Sequence, residues 1–332
     1  MSLRMTKLLG AILAVLLTFP LLAWAALALR IDGPSSQPLA VTLSLGFVGL
    51  SLGILVFVRP FVRAYFLFLV GFLLVLAWWL GIEPRNDRDW IADVARLPRA
   101  EISGNRVTIH NLRNFDYSSE TDVTPHWETR TFDLNQLVGV DMFLSFWGPT
   151  LIAHTIASWE FADGQHLAIS IETRKEVGES YSALLGFFRQ YELYYVVADE
   201  RDVVRLRTNY RGEKAYLYRM KAAPQRARAI LLDYLEEVNR LTTRPAWYNA
   251  LTHNCTTTIR HHAQNVTPGN PWNWRLLVNG RLDELGYMRG TIDTSLPLEE
   301  LRRRSDVTER ARAAGNAADF SARIRAGLPG AR

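Results

Sequence analysis

Cys255 is the only cysteine in 332 residues, and it sits in the string Tyr248-Asn249-Ala250-Leu251-Thr252-His253-Asn254-Cys255-Thr256-Thr257. Asparagine is a favoured N-cap, so the sulfur is expected on the first turn of a helix. Free N–H groups and the helix dipole at such an end favour a thiolate, the reactive form of the side chain. The same N–H groups, with Asn254 and Thr256 in support, suit an oxyanion. A thiol catalyst also needs a base. His154, in the strand-like run Ile152-Ala153-His154-Thr155-Ile156-Ala157-Ser158-Trp159, is the candidate.

Two extended runs flank Ala162-Asp163-Gly164, which is a hairpin signal. With a three-residue loop and Gly164 in a left-handed bulge, facing residue numbers sum to 326 and Glu172 lies opposite His154. A cross-strand carboxylate there can fix the ring's tautomer and stabilise its charged form. With a two-residue loop the sum is 327, Thr173 takes that place, and Glu172 turns to the other face. Glu172 is therefore the first candidate to orient the ring, with His166, nearer the turn, as the alternative. Arg174 and Lys175 follow Glu172, so a plain ion pair with them competes with that role.

His253, His261 and His262 raise the question of a metal. His262 lies two helical turns beyond Cys255, about 10 Å, which is too far to share one zinc with it. The sequence has no second cysteine, no His-Glu-x-x-His and no Gly-x-Ser-x-Gly. No metal or other cofactor is expected.

These residues must be held by a folded domain, and the chain before it is of a different kind. Leu8–Leu29, Leu39–Val58 and Ala64–Leu80 carry no charge. Each is near the length that crosses about 30 Å of hydrocarbon. Trp78 and Trp79 suit the interface belt. Residues 1–82 thus read as an anchor of three transmembrane helices. No small-x-small cleavage pattern stands out before Arg30, so the first segment reads as an uncleaved span rather than a signal peptide. Arg4 and Lys7 precede the first span, and Arg59 and Arg63 lie between the second and third. The positive-inside rule then puts the rest of the chain on the outer side of the membrane, which at a bacterial inner membrane is the periplasm. With only two spans it would lie in the cytoplasm.

Residues 83–104 read as a linker with a short helix near Trp90–Leu97, and 105–332 as one soluble domain. Strands are expected at 106–113, 128–134, 138–147, 193–198 and 215–219, beside the hairpin. Helices are expected at 180–191, at 224–242 from apolar spacing behind Pro224, after Asn254, and along 298–325. The class is α+β: a small antiparallel sheet with helices on one side. The formal charge of +5 reads as an Arg-rich surface with a weak bias toward anionic lipid, and no nucleic-acid motif is present.

The Asn254-Cys255-Thr256-Thr257 string resembles the motif of the periplasmic domain at the N-terminus of Lnb, a bacterial lipoprotein N-acyltransferase. Other segments agree in order: Asn111-Leu112-Arg113-Asn114-Phe115-Asp116-Tyr117, Ala153-His154-Thr155, Ile169-Ser170-Ile171-Glu172-Thr173-Arg174, Gly186–Leu193 and Asp199-Glu200-Arg201-Asp202. The likeness covers roughly 105–325 and leaves out the anchor; His253 stands where a small or amide residue is expected. It implies a permuted papain-like (NlpC/P60-like) fold with Cys255 as nucleophile, His154 as base and Glu172 in the orienting place by position. It further implies a thiol acyltransferase, with membrane lipid as acyl donor and a lipoprotein or peptide amine as acceptor. Two rival readings use the same residues: a cell-wall amidase or peptidase, and a non-catalytic envelope scaffold with an inert Cys255.

Overall fold

All three apolar stretches fold as helices: α1 (Leu3–Ile31), α2 (Gln37–Phe57) and α3 (Phe61–Leu80). The structure is a computed structural model that describes residues 3–148, 150–266, 269 and 271–330, with 3–9 and 11–15 described by backbone alone. Among the described residues, α2 and α3 are long and apolar enough to cross a membrane. The part of α1 that can be judged in this way, Leu16–Ile31, is shorter. Three spans therefore remain an expectation, while two are supported by length and composition.

These helices and Ser182–Tyr191 form one compact unit. The helix expected over 180–191 reduces to a single 3-10 turn at Leu185–Phe187. Polar groups of the segment are drawn to Asp32 instead. Asp32 accepts from the Gln190 amide at 2.9 Å, the Arg189 N–H at 3.2 Å and the Trp79 indole at 2.6 Å. The Arg189 guanidinium lies 4.2 Å over the Trp79 ring.

The second unit comprises Arg85–Tyr181 and Glu192–Arg332. Its strands are β1 (Arg99–Ser103), β2 (Arg106–Arg113), β3 (Asp116–Tyr117), β4 (Val123–Thr124), β5 (Trp127–Asp133), β6 (Leu137–Phe146), β7 (His154–Phe161), β8 (His166–Arg174), β9 (Glu192–Ala198) and β10 (Lys214–Arg219). Its helices are α4 (Glu200–Arg205), α5 (Pro224–Thr243), α6 (Cys255–Val266), α7 (Leu282–Met288), α8 (Leu298–Ser305), α9 (Thr308–Ala314) and α10 (Phe320–Arg325). The main sheet runs β1-β2-β9-β8-β7-β6-β10, with β5 on β2. It is antiparallel except where β2 meets β9. Residues 83–104 are not a free linker, because β1 pairs along β2 and Ile91 N–H bonds the Lys175 carbonyl. The helix expected near Trp90–Leu97 shortens to a 3-10 turn at Ala92–Val94.

Helices cover both faces of this sheet, not one. Every residue of β9 is buried, and so is nearly all of β8. Strands covered on both faces read as continuous apolar runs rather than alternating ones, as Leu193–Ala198 does. On one face Ile156, Tyr194 and Val196 pack with Val203 of α4, Ala311 of α9 and Phe320 of α10. On the other lies α5, whose buried stripe is Ala227, Leu231, Tyr234, Leu235, Val238 and Leu241. The Trp159 indole of β7 donates to the Ala227 carbonyl of α5 at 2.9 Å.

Candidate functional site

The β7–β8 turn decides where His154 points. Gly164 has φ +86°, which a side chain would strain, and its N–H closes the turn onto the Phe161 carbonyl at 2.9 Å. Ile156 faces Ser170 and Glu160 faces His166, so the numbers sum to 326. Glu172 therefore comes beside His154 at the open end of the hairpin, with Oε1 3.5 Å from the ring Nε2. Ser170, two residues before Glu172 and hence on the same face, sits between them. Its hydroxyl donates to Glu172 Oε1 at 2.7 Å and lies 2.6 Å from His154 Nε2. One hydroxyl carries one proton, so Nε2 is the donor to Ser170. That tautomer leaves Nδ1 as the ring's acceptor.

Arg207 fixes Glu172 from behind. Its Nη2 lies 3.0 Å from Glu172, and its Nη1 lies 3.1 Å from Glu213. Glu213 in turn accepts from the Ser145 hydroxyl at 2.5 Å, and Ser145 is the β6 neighbour of His154. A row of hydrogen-bonded side chains thus runs from His154 through Ser170, Glu172 and Arg207 to Glu213 and Ser145. Arg207 lies in a π-helical segment, Leu206–Tyr210, that widens the turn after α4. The expected competitors for Glu172 are engaged elsewhere or not seen on it: Arg174 bonds the carbonyls of Val94 and Ala95 and lies over Trp90.

Cys255 opens α6. Asn254 Oδ1 accepts from the N–H groups of Thr256 and Thr257, both at 3.0 Å. Its amide donates to the Ala250 carbonyl at 2.7 Å. Asn254 is thus a helix cap, and the Thr256 N–H is used by that cap rather than free for an oxyanion. Asn279, which the sequence did not single out, ties three pieces together. Its Nδ2 donates to Thr256 Oγ1 at 2.7 Å and the Ala153 carbonyl at 2.6 Å, and lies 3.8 Å from the sulfur. Its Oδ1 accepts from the Ala153 N–H at 2.8 Å. The next residue must be glycine, since a Cβ at 280 would lie 2.1 Å from the Thr150 carbonyl oxygen.

The structure brings Cys255, His154 and Glu172 together. Cys255 and His154 lie close enough for each to shift the other's pKa. Burial raises the thiol pKa, but the hydrogen bond and charge of His154 outweigh it and hold the thiol below its ordinary value. Burial and the Arg207 charge press the imidazole toward neutrality. The bonds to Cys255 and Glu172 overcome both and raise its pKa. Burial also opposes the Glu172 charge, yet Arg207 and then His154 hold that carboxyl well below the usual range. All three shifts favour a thiolate–imidazolium pair. Cys255 itself is buried, 9% exposed.

His166 is not part of this site. It faces Glu160, six residues along β7 from His154, or about 20 Å. Its Nδ1 lies 3.1 Å from the Gly164 carbonyl. His262 is consumed by packing: its Nδ1 is 2.6 Å from Asp233, its Nε2 is 2.7 Å from the Tyr195 hydroxyl, and its ring lies 3.9 Å from that of Tyr234. Among the described residues no group of three His, Cys, Asp or Glu side chains could hold a metal ion.

The pKa directions give a testable pH dependence. Thiolate forms as pH rises through the lowered Cys255 value. Glu172→Gln removes a charge that raises the His154 pKa, weakens the imidazolium, and so lets the thiol pKa climb back. Alkylation of Cys255 by iodoacetamide at neutral pH should then slow by roughly an order of magnitude, with its pH inflection moved upward. An unchanged rate–pH curve would show that Glu172 does not act on the pair.

Residues 123–280 match the family model of the Lnb N-terminal periplasmic domain. The match runs from β4 to Gly280 and so includes His154, Ser170, Glu172, Arg207, Cys255 and Asn279. It supports this family and is shorter than the span of 105–325 expected from the resemblance. No curated protein and no solved structure matches the chain. The likeness of residues 123–280 to a periplasmic domain, together with the apolar helices α2 and α3, fits a membrane-associated envelope protein.

Proposed function

We propose that this protein is a membrane-anchored thiol acyltransferase whose nucleophile is Cys255. The observation that carries the reading is the Cys255 sulfur on the first turn of α6, tied by Asn279 to the residue before His154, with Ser170 and Glu172 behind the imidazole. The Cys255 thiolate attacks an ester carbonyl of a membrane lipid. The ester C–O bond breaks, His154 gives its proton to the departing alkoxide, and the acyl group stays on sulfur as a thioester. An acceptor amine, at a lipoprotein N-terminus or on a peptide, then attacks the thioester. Its proton passes to Nδ1 of His154, the C–S bond breaks and an amide forms. Ser170 and Glu172 stabilise the imidazolium through Nε2. With the Thr256 and Thr257 N–H groups capped, the Cys255 N–H is the backbone donor for the oxyanion.

The order of elements, histidine strand before cysteine helix, fits a permuted papain-like domain. Three spans, α1 to α3, would carry the chain from the cytoplasm into the periplasm across a bacterial inner membrane. Anchoring keeps the site at its lipid donor and raises the effective concentration. Exposed apolar side chains on the loops near Cys255 favour a lipid over the peptide of a cell-wall amidase. The test is mass spectrometry of lipoprotein N-termini from cells lacking this protein. The expected result is loss of the N-linked acyl group, restored by the intact gene. Unchanged acylation would remove lipoproteins as the acceptor.

A further inference from the structure

Large apolar side chains left in water are not scattered over the soluble unit. Among its described residues eleven are exposed, and seven of them lie on three loops. Trp147, Leu151 and Ile152 precede His154. Leu251, 58% exposed, precedes Cys255, and Trp272, Trp274 and Leu277 precede Asn279. The three loops converge on the sulfur. Asn279 bonds Ala153 on the first and Thr256 beside Cys255. The Gly280 N–H donates to the Leu151 carbonyl at 3.0 Å. Leu251 is held in a turn by the Asn249 side chain, which accepts its N–H at 3.0 Å. An apolar cluster of this kind marks a surface that something covers.

We propose that these loops form a lipid-docking rim, which inserts into the interfacial layer of the bilayer holding α2 and α3 and opens the Cys255 site toward it. The inference rests on the membrane reading of those helices. Chain continuity favours a bilayer as the occupant. α3 ends at Leu80 and the soluble unit starts at Arg85, so a tether of a few residues joins it to that helix. Composition agrees. Three of the seven side chains are tryptophans, whose rings suit the headgroup boundary, and the rest are Leu and Ile.

The test uses the full chain in proteoliposomes. Cys255→Ala removes the native thiol, and single cysteines are placed by Leu251→Cys, Trp272→Cys or Leu277→Cys. Ile102→Cys on β1 and Ala162→Cys at the hairpin turn serve as controls. Each is labelled with an environment-sensitive fluorophore, and lipids carrying a nitroxide are added. Rim probes should be blue-shifted and quenched roughly twofold or more relative to the controls. Rim probes that report water as the controls do would overturn the proposal. So would rim probes that are shielded but not quenched by labelled lipid, which would assign the surface to a protein partner or a second copy. The nucleophile is absent throughout, so the outcome is independent of whether Cys255 performs catalysis.

Discussion

Alanine at position 255 should leave the soluble unit folded and bring acyl transfer down to background, a loss on the order of 10⁴-fold or more. The fold should survive because the sulfur is a small part of the packing and the α6 cap belongs to Asn254. His154→Ala should cost about as much. Nucleophile and base act as one unit, so the double variant should be no worse than either single one. A direct readout is the intermediate itself. Wild-type protein incubated with phospholipid vesicles should gain the mass of one acyl chain on Cys255, released by hydroxylamine, and the alanine variant should gain none. Full activity in Cys255→Ala would leave the protein as an envelope scaffold and end the thiol reading.

Arg325→Met should destabilise the soluble unit by about 3–5 kcal/mol, because it strands buried charge. Arg325 lies in α10, far along the chain from the site, yet its guanidinium is bidentate to Glu200 at 2.6 and 2.7 Å and reaches Asp141 at 2.8 Å. Both carboxylates are fully buried, and Ser158 also donates to Glu200. Burial alone would raise the Glu200 pKa, but the Arg325 charge dominates and holds it far below the usual range. In the wild type that contribution is fully present above the ordinary carboxylate pKa and is lost as pH falls through the lowered one. In the variant the two carboxylates face each other without a cation, so the stability gap to wild type should narrow on acidification. Chemical denaturation of the full chain in detergent, followed by tryptophan fluorescence at two pH values, measures both effects. A gap below about 1 kcal/mol at neutral pH would mean that water reaches the pair and screens it. The same network joins β6, α4 and α10, and β6 is the neighbour of the strand that carries His154. Losing it should loosen the site's scaffold as well.

Several parts of the site are written locally. Ala162-Asp163-Gly164 marks the hairpin and narrows its register to two, and the observed three-residue turn selects the one that puts Glu172 beside His154. The period of two along β8 would also have found Ser170, which the sequence reading passed over. Apolar spacing behind Pro224 gives α5 to within a residue of its observed end. Arg207 and Glu213 had no such signal. They depend on a π-helical widening after α4 and on packing that brings residue 207 to residue 172. Asn279 lies in a Trp- and Pro-rich loop whose path no short-range rule specifies. The missed helix cover on the second sheet face has a related cause. A continuous apolar strand such as β9 says that both faces are buried, but not which later helices bury them.

The sequence by itself determined the one thiol, the asparagine that caps its helix, the hairpin and the apolar helices, because each follows from forces acting over a few residues: hydrogen bonds to the nearest N–H groups, glycine's access to positive φ, and unbroken runs of hydrocarbon. Only the tertiary structure decided that His154 meets a sulfur about a hundred residues further on, that Arg207 pins Glu172, and that three apolar loops gather at the same mouth. Those meetings depend on how helices close over both faces of the sheet, and that closure is set by the summed packing of the whole unit rather than by any short stretch of chain.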